Sequence, residues 1–397
     1  MRHQLRILRH RLPVLLDPGL RAASVRAEAA WRLPQRAESR VLYTFGGTAA
    51  VYQAVKALAL TAGDKVLIPA YNCGHEIEPV LRAGAGVAFY RVDGNMRIDL
   101  EHLEAAVDGQ TRAVLVTHYF GFPQAISAIR ELCDRHRLAL IEDCAHALFS
   151  RDGEEPLGLA GDLAVFSLRK TLPLPHGGAV VCHDPRLAMP ASLQRPPRLS
   201  TLPKLLERYQ KAWLMPPAGS PTAGDRIAFV ANRLLVDAIK CARGAAALAG
   251  RTQLDPDAES LGFPGEALDW GMDASAVKAL GDADPEAIAA ARRRNYGLLL
   301  AAADRLTDCR PVFPDLPAGV CPLYFPVFAE HAERLVRRLA GGAVASVQWW
   351  AGTFHSAVSW EQFPDAAFLK RSVVALPIHQ DLGPAHMQRI VGLLAER

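Results

Sequence analysis

Apolar, strand-like runs alternate with amphipathic helical patterns from residue 41 onward. The runs fall at 65–69, 87–92, 113–117, 138–142, 163–166 and 179–182, and helical patterns separate the earlier ones at 49–60, 76–83, 100–107 and 125–137. Strands that are apolar on both faces and joined by helices are typical of a mostly parallel sheet covered by helices. The pattern therefore predicts an α/β fold.

The alternation stops after Asp184. Residues 185–265 contain proline-rich turns around two helical segments, and the rest of the chain predicts a helix at 285–304, a strand in "LYFPVF" and a closing helix at 384–396. We predict a large domain over 41–270, with a helical insertion at about 185–265, and a smaller α+β domain over 271–397. Residues 1–40 form a separate N-terminal arm in this division.

Composition excludes several classes of protein. The chain has 397 residues, of which 50% are hydrophobic, and its net charge of +4 is too small to indicate nucleic-acid binding. No apolar run reaches the roughly 18–20 residues of a membrane helix. The seven cysteines are scattered without a CxxC pair, so we expect neither a disulfide framework nor a metal site, and a reducing cytoplasm is the expected compartment.

The N-terminal arm differs in charge from the rest. Residues 1–40 hold nine arginines against three acidic residues. We expect this arm to lie over a partner subunit or an anionic ligand, and a membrane-surface helix is the alternative.

Candidate catalytic and binding residues lie at the ends of three predicted strands or helices. Gly46-Gly47-Thr48 opens a helix, where unpaired N–H groups hold phosphate well. Asp143 lies at the carboxyl end of a buried strand, where open α/β sheets place ligands. Lys170 follows another strand, "LAVF", and a short proline-bearing loop comes after it.

Each feature also has a purely structural interpretation. The Gly-Gly-Thr step can be a tight helix entry, Asp143 a loop cap, His146 a structural histidine and Lys170 a solvated loop residue. Their order along the chain, however, matches a site for pyridoxal 5′-phosphate (PLP). That cofactor needs a lysine for a Schiff base, a carboxylate for its pyridine nitrogen, and N–H and hydroxyl groups for its phosphate.

Six short motifs resemble the DegT/StrS family of PLP-dependent sugar aminotransferases, which have the fold-type-I architecture of the aspartate aminotransferase superfamily. They are "GGTAAVYQAVKAL", "GDKVLIPAYNCGHEI", "THYFGFP", "IEDCAHALFS", "GDLAVFSLRKTLPLPHGGAVV" and "LPIHQDL". The resemblance implies a mostly parallel sheet of the seven-stranded type. It also implies a homodimeric enzyme that transfers an amino group from an amino acid, with glutamate as the expected donor, to a keto-sugar nucleotide.

The resemblance also implies roles for single residues. Lys170 would form the Schiff base and Asp143 would face the pyridine nitrogen. His146 would bond the ring oxygen of the cofactor. The remaining implied cofactor-binding residues are Gly47, Thr48 and Ser167 at the phosphate and Cys73 on the outer face of the ring.

Two departures from the family pattern change what is expected. The family has an aromatic side chain where Cys73 stands, so Tyr71, His75 or the sulfur itself would have to cover the ring. Gly271 and Asp273 stand where the family has an Asn-x-Arg that reaches the neighbouring subunit's phosphate. We therefore expect phosphate binding mainly within one subunit, with Arg169 as a possible source of charge.

Two further expectations concern the acceptor and the rival functions. The basic arm and Arg292–Arg294 could contact the diphosphate of a nucleotide, although a solvated helix face explains the three arginines equally well. The rivals are another fold-type-I reaction, such as dehydration or carbon–carbon bond formation, a non-catalytic binding protein and a membrane-surface protein that uses residues 1–40 and 201–250.

Overall fold

The computed structural model describes residues 31–197 and 265–395 apart from 282 and 343. Most of the basic arm and both helical segments of the predicted insertion therefore lie outside the described residues. The division into domains over 41–270 and 271–397 stays a prediction.

A seven-stranded sheet forms the centre of the N-terminal half. Its strands are β1 (Arg40–Thr44), β2 (Lys65–Pro69), β3 (Gly86–Tyr90), β4 (Thr111–Thr117), β5 (Ala139–Asp143), β8 (Leu163–Phe166) and β9 (Gly178–Cys182), in the spatial order β1-β9-β8-β5-β4-β2-β3. The strand β9 is antiparallel to both of its neighbours, and the other pairs are parallel. The mostly parallel sheet is thus confirmed, and β1 is the strand that the apolar pattern missed. Two short strands, β6 (Arg151–Asp152) and β7 (Glu155–Pro156), form a separate hairpin.

Four of the five helices of this half lie where the periodicity predicts them, and the fifth, the single turn over 168–171, was not predicted. They are α1 (Gly47–Ala57), α2 (Ile77–Arg82), α3 (Leu100–Ala105), α4 (Ile126–His136) and the single turn α5 (Leu168–Thr171). Local sequence explains their ends. The Asp99 carboxylate caps α3 by accepting from the His102 N–H, and α4 ends because Arg137 adopts a left-handed conformation.

A four-stranded antiparallel sheet organises the C-terminal part, in the order β10-β11-β13-β12. Its strands are β10 (Cys309–Pro311), β11 (Phe325–Ala329), β12 (Val347–Gln348) and β13 (Val373–Leu376). The helices are α6 (Ala274–Leu280), α7 (Pro285–Leu300), α8 (Ala332–Gly341), α9 (Pro364–Ser372) and α10 (Pro384–Ala395). Buried apolar residues of both sheets, such as Val116 and Leu376, belong to one continuous core. Among the described helices, none combines the length and apolar character needed to span a bilayer.

The sheet register brings three chain segments together at one edge. Thr117 at the end of β4 is paired with Asp143 at the end of β5, and Asp143 is paired with Val165 near the end of β8. The residues that follow these strands, among them His118 and Ser167, therefore lie at a common carboxyl edge. This is the edge at which parallel α/β sheets bind ligands.

Candidate active site

Lys170 lies on the single turn α5, directly after β8. Its backbone N–H donates to the Ser167 carbonyl oxygen at 3.1 Å, and the turn ends at Leu172, which is extended. The Lys170 side chain is partly buried. Its charge is close enough to affect the pKa values of Asp143, Cys73 and His146. The structure thus brings together four of the residues that the sequence singles out.

Asp143 is a buried carboxylate with few compensating contacts. Its Oδ1 accepts the Ala145 N–H at 2.8 Å. Burial raises the pKa of Asp143, the nearby Glu76 carboxylate raises it further, and the Lys170 ammonium opposes both. A carboxylate in this position favours a cationic or protonated partner.

His146 is held neutral by its surroundings. Burial lowers the pKa of His146 well below its ordinary value, and Lys170 lowers it further. Its Nδ1 accepts the Phe120 N–H at 3.4 Å. The proton of the neutral ring is therefore assigned to Nε2, which can donate to a ligand oxygen.

The start of α1 forms a cradle lined by backbone N–H groups and hydroxyls. Gly46 precedes the helix without a side-chain cap. A Cβ on Gly47 would lie 3.1 Å from the Ser167 Cβ, and a Cβ on Gly178 would lie 2.5 Å from the carbonyl carbon and oxygen of Gly46. Only glycine permits this close approach, which places Ser167 beside the helix start. Thr48 contributes a second hydroxyl, which lies 3.1 Å from the His75 Nδ1.

Cys73 is engaged with a carboxylate. Its thiol lies 3.3 and 3.2 Å from the Glu76 Oε1 and Oε2, and its N–H donates to Oε2 at 3.2 Å. Burial raises the pKa of Cys73 well above its usual value and Glu76 adds to the effect, so the thiol stays protonated. The sequence suggested Tyr71 or His75 as the ring that covers the cofactor in place of the missing aromatic residue. Tyr71 is fully buried, and the His75 side chain contacts Thr48, so neither is clearly available to stack on a ligand.

The departures at 271 and 273 have structural roles. The Asp273 Oδ2 lies 2.7 Å from the His176 Nε2, and its Oδ1 caps α6 by accepting the Ala276 N–H at 2.9 Å. Gly271 bridges to Thr44 in β1. Asp273 therefore joins the start of α6 to the loop after Lys170, and Gly271 joins the preceding residues to β1. Arg169 is accessible to solvent, although the protein around its guanidinium lowers the pKa of Arg169 by desolvation, and its contact with phosphate stays a prediction.

The interpretation of Arg292 as part of a solvated helix face is wrong, and its contact with a diphosphate stays a prediction. Arg292 is buried and donates to the carbonyl oxygens of Pro322 and Leu323 at 3.2 and 2.8 Å. Its Nε donates to the Gln380 Oε1 at 3.0 Å. The Gln380 side-chain amide in turn donates to the Thr171 carbonyl oxygen at 3.1 Å, next to Lys170. Gln380 lies within the motif "LPIHQDL", but sequence reasoning missed this connection because nothing in the motif indicates a contact with Thr171.

A buried network behind the site involves Glu142, the residue before Asp143. Its carboxylate accepts from the His118 Nε2 at 3.1 Å and from the N–H groups of Gly158 and Gly161 at 3.1 and 2.6 Å. Burial raises the pKa of Glu142, but these hydrogen bonds outweigh it and the pKa lies below its usual value. Glu142, His118 and Cys144 are close enough to hold a metal ion, but the carboxylate is already saturated by donors. We therefore interpret the group as a structural network.

Two adjacent tryptophans from the C-terminal part border the site. The Trp349 ring lies 5.4 Å from the His146 ring, and the Trp350 ring lies 5.6 Å from it. The sequence signal for them was the pair "WW" in an otherwise aromatic-poor chain. Nothing in its spacing connected the pair to the lysine loop.

The arrangement fits pyridoxal 5′-phosphate. The start of α1, where glycines let the backbone come close to Ser167 and where two hydroxyls lie nearby, fits the phosphate. The buried Asp143 fits a protonated ring nitrogen. Lys170 is the amine close to Asp143. The Tyr71 hydroxyl is buried and has no hydrogen-bond partner among the described residues. A bound ligand with a polar group could supply the missing partner.

Comparison with curated proteins gives partial matches. The chain is 33% identical to GDP-perosamine synthase from Vibrio cholerae over 141 residues, which is 35% of this chain and 38% of that protein. It is 34% identical to dTDP-4-dehydro-2,3,6-trideoxy-D-glucose 4-aminotransferase from Saccharopolyspora spinosa over 173 residues, 43% of this chain and 45% of that protein. The chain thus spans less than half the length of these curated relatives.

Solved structures match over nearly the whole chain at low identity. The PLP form of Spr1654 from Streptococcus pneumoniae matches with a TM-score of 0.65 and 13% identity, covering 98% of this chain and 95% of that one. DesV from S. venezuelae matches with a TM-score of 0.64 and 20% identity, covering 99% and 94%. These likenesses confirm the fold-type-I architecture.

The family match covers the segment that carries the sheet and the lysine turn. Residues 38–201 match the model of the DegT/DnrJ/EryC1/StrS aminotransferase family. They include β1 to β9, the α1 cradle, Asp143, His146 and Lys170. Over these residues, which are less than half of the chain, it is similar to the DegT/DnrJ/EryC1/StrS aminotransferase family.

Proposed function

We propose that the protein is a PLP-dependent aminotransferase that moves an amino group from an amino acid donor to the ketone of a keto-sugar nucleotide. The observation that carries the proposal is that the buried Asp143, at the end of β5, and Lys170, on the turn directly after the neighbouring strand β8, lie at the same carboxyl edge of the sheet. The match of residues 38–201 to the model of an aminotransferase family supports it.

The cofactor supplies an aldehyde that condenses with amines and a protonated ring that withdraws electrons. The chain's residues perform the remaining tasks. The Lys170 Nζ would be the amine that holds the cofactor's aldehyde carbon, and as a free amine it would take the proton from the donor's α-carbon and return one to the acceptor's carbon. Asp143 holds the proton on the ring nitrogen, because a buried anion stabilises a neighbouring cation.

The other site residues bind and orient. His146 donates its Nε2 proton to the ring oxygen. The N–H of Gly47 and the hydroxyls of Thr48 and Ser167 bind the phosphate, and the positive end of α1 adds to their effect. The thiol of Cys73 is engaged with Glu76, so it lines the site as a neutral side chain.

The names of the relatives support the class of acceptor. One acts on a dTDP-linked dehydro sugar according to its name, and another makes a GDP-linked amino sugar. A keto-sugar nucleotide is therefore our proposed acceptor, and glutamate is our proposed donor. A homodimer in the cytoplasm completes the proposal.

Two measurements test it. Purified protein loaded with PLP and reduced with borohydride should carry the pyridoxyl group on Lys170, as seen by peptide mass spectrometry. Loaded protein that has not been reduced should convert about one equivalent of glutamate to 2-oxoglutarate by itself, and should turn over repeatedly only when a keto-sugar nucleotide is present. Labelling at another lysine would contradict the site.

One alternative remains distinct. A binding protein with this fold would load PLP on Lys170 but would not exchange the α-proton of any amino acid. Loss of deuterium from α-deuterated glutamate, followed by mass spectrometry, separates this alternative from an aminotransferase whose acceptor has not been found.

A further inference from the structure

The site has an aromatic side chain that comes from the C-terminal part of the chain. The Trp350 ring lies 4.8 Å from the Tyr71 ring, 6.1 Å from the Tyr119 ring and 5.6 Å from the His146 ring. Tyr71 is two residues before Cys73, and His146 is three residues after Asp143. Trp350 therefore lies between the segment that carries Cys73 and the His146 side chain.

Trp350 differs from its neighbours in exposure. Tyr71 and Tyr119 are fully buried, whereas Trp350 is partly exposed. The space behind Trp350 is thus filled by packed side chains, and part of the indole remains available to a ligand. Partly exposed indole at a concave site is a typical surface for stacking flat rings.

The backbone of Trp350 is strained. Its φ is +63°, in the left-handed region that bulky side chains rarely adopt. Such residues persist only where surrounding contacts fix them, and they cluster at functional sites. The strain therefore needs an anchor close to Trp350.

Lys370 provides that anchor. The Thr353 N–H and hydroxyl both donate to the Trp350 carbonyl oxygen, at 3.1 and 3.0 Å. The buried Lys370 ammonium donates to the Thr353 carbonyl oxygen and, at 2.8 Å, to the carbonyl oxygen of Asn72. One lysine thus fastens the Trp350 turn to the residue that precedes Cys73.

We infer that Trp350 stacks on the pyridine ring of the cofactor and that Lys370 holds it in place. Cys73 offers no ring, and its thiol is committed to Glu76. Trp350 is the partly exposed aromatic residue that contacts both the Tyr71 segment and His146. The inference rests on the proposed PLP site.

The test compares the affinity of three variants for PLP. In Trp350→Ala the dissociation constant, measured by absorbance titration of cofactor-free protein, should rise about threefold to tenfold, the range expected for one lost aromatic contact. Trp350→Phe should recover most of the affinity because it keeps a ring. Trp31→Ala, which removes an indole packed on Phe149, should leave the affinity unchanged.

A second readout is independent of affinity. Binding of PLP should quench a smaller share of tryptophan fluorescence in Trp350→Phe than in the wild type, because the nearest indole is gone. Equal quenching and equal affinity in all variants would overturn the inference. So would a Trp350→Ala variant that binds PLP normally and shows only a raised KM for the acceptor, since Trp350 would then contact the sugar.

The same experiment keeps the two proposals apart. If wild-type protein does not attach PLP to Lys170, the proposed function fails. If it does and Trp350→Ala retains wild-type affinity, only the role of Trp350 fails. Thermal unfolding of the cofactor-free variants checks that each one is folded before titration.

Discussion

The side-chain amide of Gln380 donates a hydrogen bond of 3.1 Å to the carbonyl oxygen of Thr171, one residue after Lys170. The other end of the same side chain accepts from the buried Arg292. The turn that carries the lysine is therefore attached to the C-terminal part of the chain. This attachment fixes the direction from which Lys170 reaches the site.

Replacing Gln380 should disturb catalysis more than folding. In Gln380→Leu the turn loses its anchor, and we expect kcat to fall about tenfold to a hundredfold, because small misplacements of a catalytic group are costly. Gln380→Glu keeps the acceptor for Arg292 but loses the donor to Thr171, so it should show a similar loss. Steady-state kinetics check this, with Asp381→Asn as the control in the same loop. Wild-type kcat in Gln380→Glu would mean that the Thr171 bond has no role.

Lys170→Ala should abolish both the trapped cofactor and transamination. Removing a nucleophile that also moves the proton costs several orders of magnitude in rate. Borohydride reduction and mass spectrometry give the first readout and product formation gives the second. Lys278→Ala, at an exposed position on α6, is the matched control and should behave like the wild type.

Asp143→Asn should change stability and turnover in opposite directions. Burial raises the pKa of Asp143, so its charge opposes folding in cofactor-free protein, and an amide oxygen can still accept the Ala145 N–H. We expect an equal or higher Tm, with kcat lowered at least a hundredfold because the ring nitrogen loses its counter-ion.

Glu142→Gln, one residue earlier in the same strand, is the control for this effect. Its carboxylate is stabilised by three donors, so the amide should lower stability by about 1–3 kcal/mol. If both variants shift Tm in the same direction, the two carboxylates do not differ as we infer.

The lowered pKa of Lys370 predicts that the free energy of unfolding rises with pH. Burial lowers the pKa of Lys370 from 10.5 to about 8. Between these values the unfolded chain binds a proton that the folded chain does not, so the free energy of unfolding should increase as the pH rises from about 8 to 10.5. Urea unfolding at several pH values measures the slope. Lys370→Met should remove it, and Lys278→Met, at an exposed lysine, should keep it.

Gly178→Ala should damage the phosphate cradle. A methyl group there would lie 2.5 Å from the Gly46 carbonyl, so the helix start must move. We expect a loss of a few kcal/mol in stability, comparable to other backbone clashes, and weaker PLP binding. At Gly63 a Cβ meets nothing within 4 Å, so Gly63→Ala is the control and should be close to neutral. Chemical denaturation and PLP titration measure the two effects.

The fold was predictable because its signals are local. Each predicted strand of the large sheet is a short apolar run, the earlier ones have helical patterns between them, and the structure places each strand within a few residues of its predicted bounds. The strand β1 was missed because "RVLYT" has an exposed first residue and lies at the edge of the sheet, where burial is partial. Edge strands give a weak apolar signal for this physical reason.

The sequence predicted only those site residues whose position follows from a single strand or helix. Lys170, Asp143 and Thr48 each follow or open a single element, so position along the chain indicated their place in space. The contacts of Trp350, Lys370 and Gln380 connect residues that are far apart in sequence. No periodicity encodes such pairings, since they depend on how the C-terminal part packs on the sheet.

The pairing of β1 with β9 determines when the cradle can form during synthesis of the chain. Residues 40–44 leave the ribosome early, but their partner strand ends at residue 182. At about 5–20 residues per second the delay is on the order of ten seconds. Strands β2 to β5 can pair in the meantime, because all of them precede residue 144. The phosphate cradle, which depends on Gly178 meeting Gly46, is therefore completed late, and a nascent chain should acquire affinity for the cofactor only after its sheet is nearly whole.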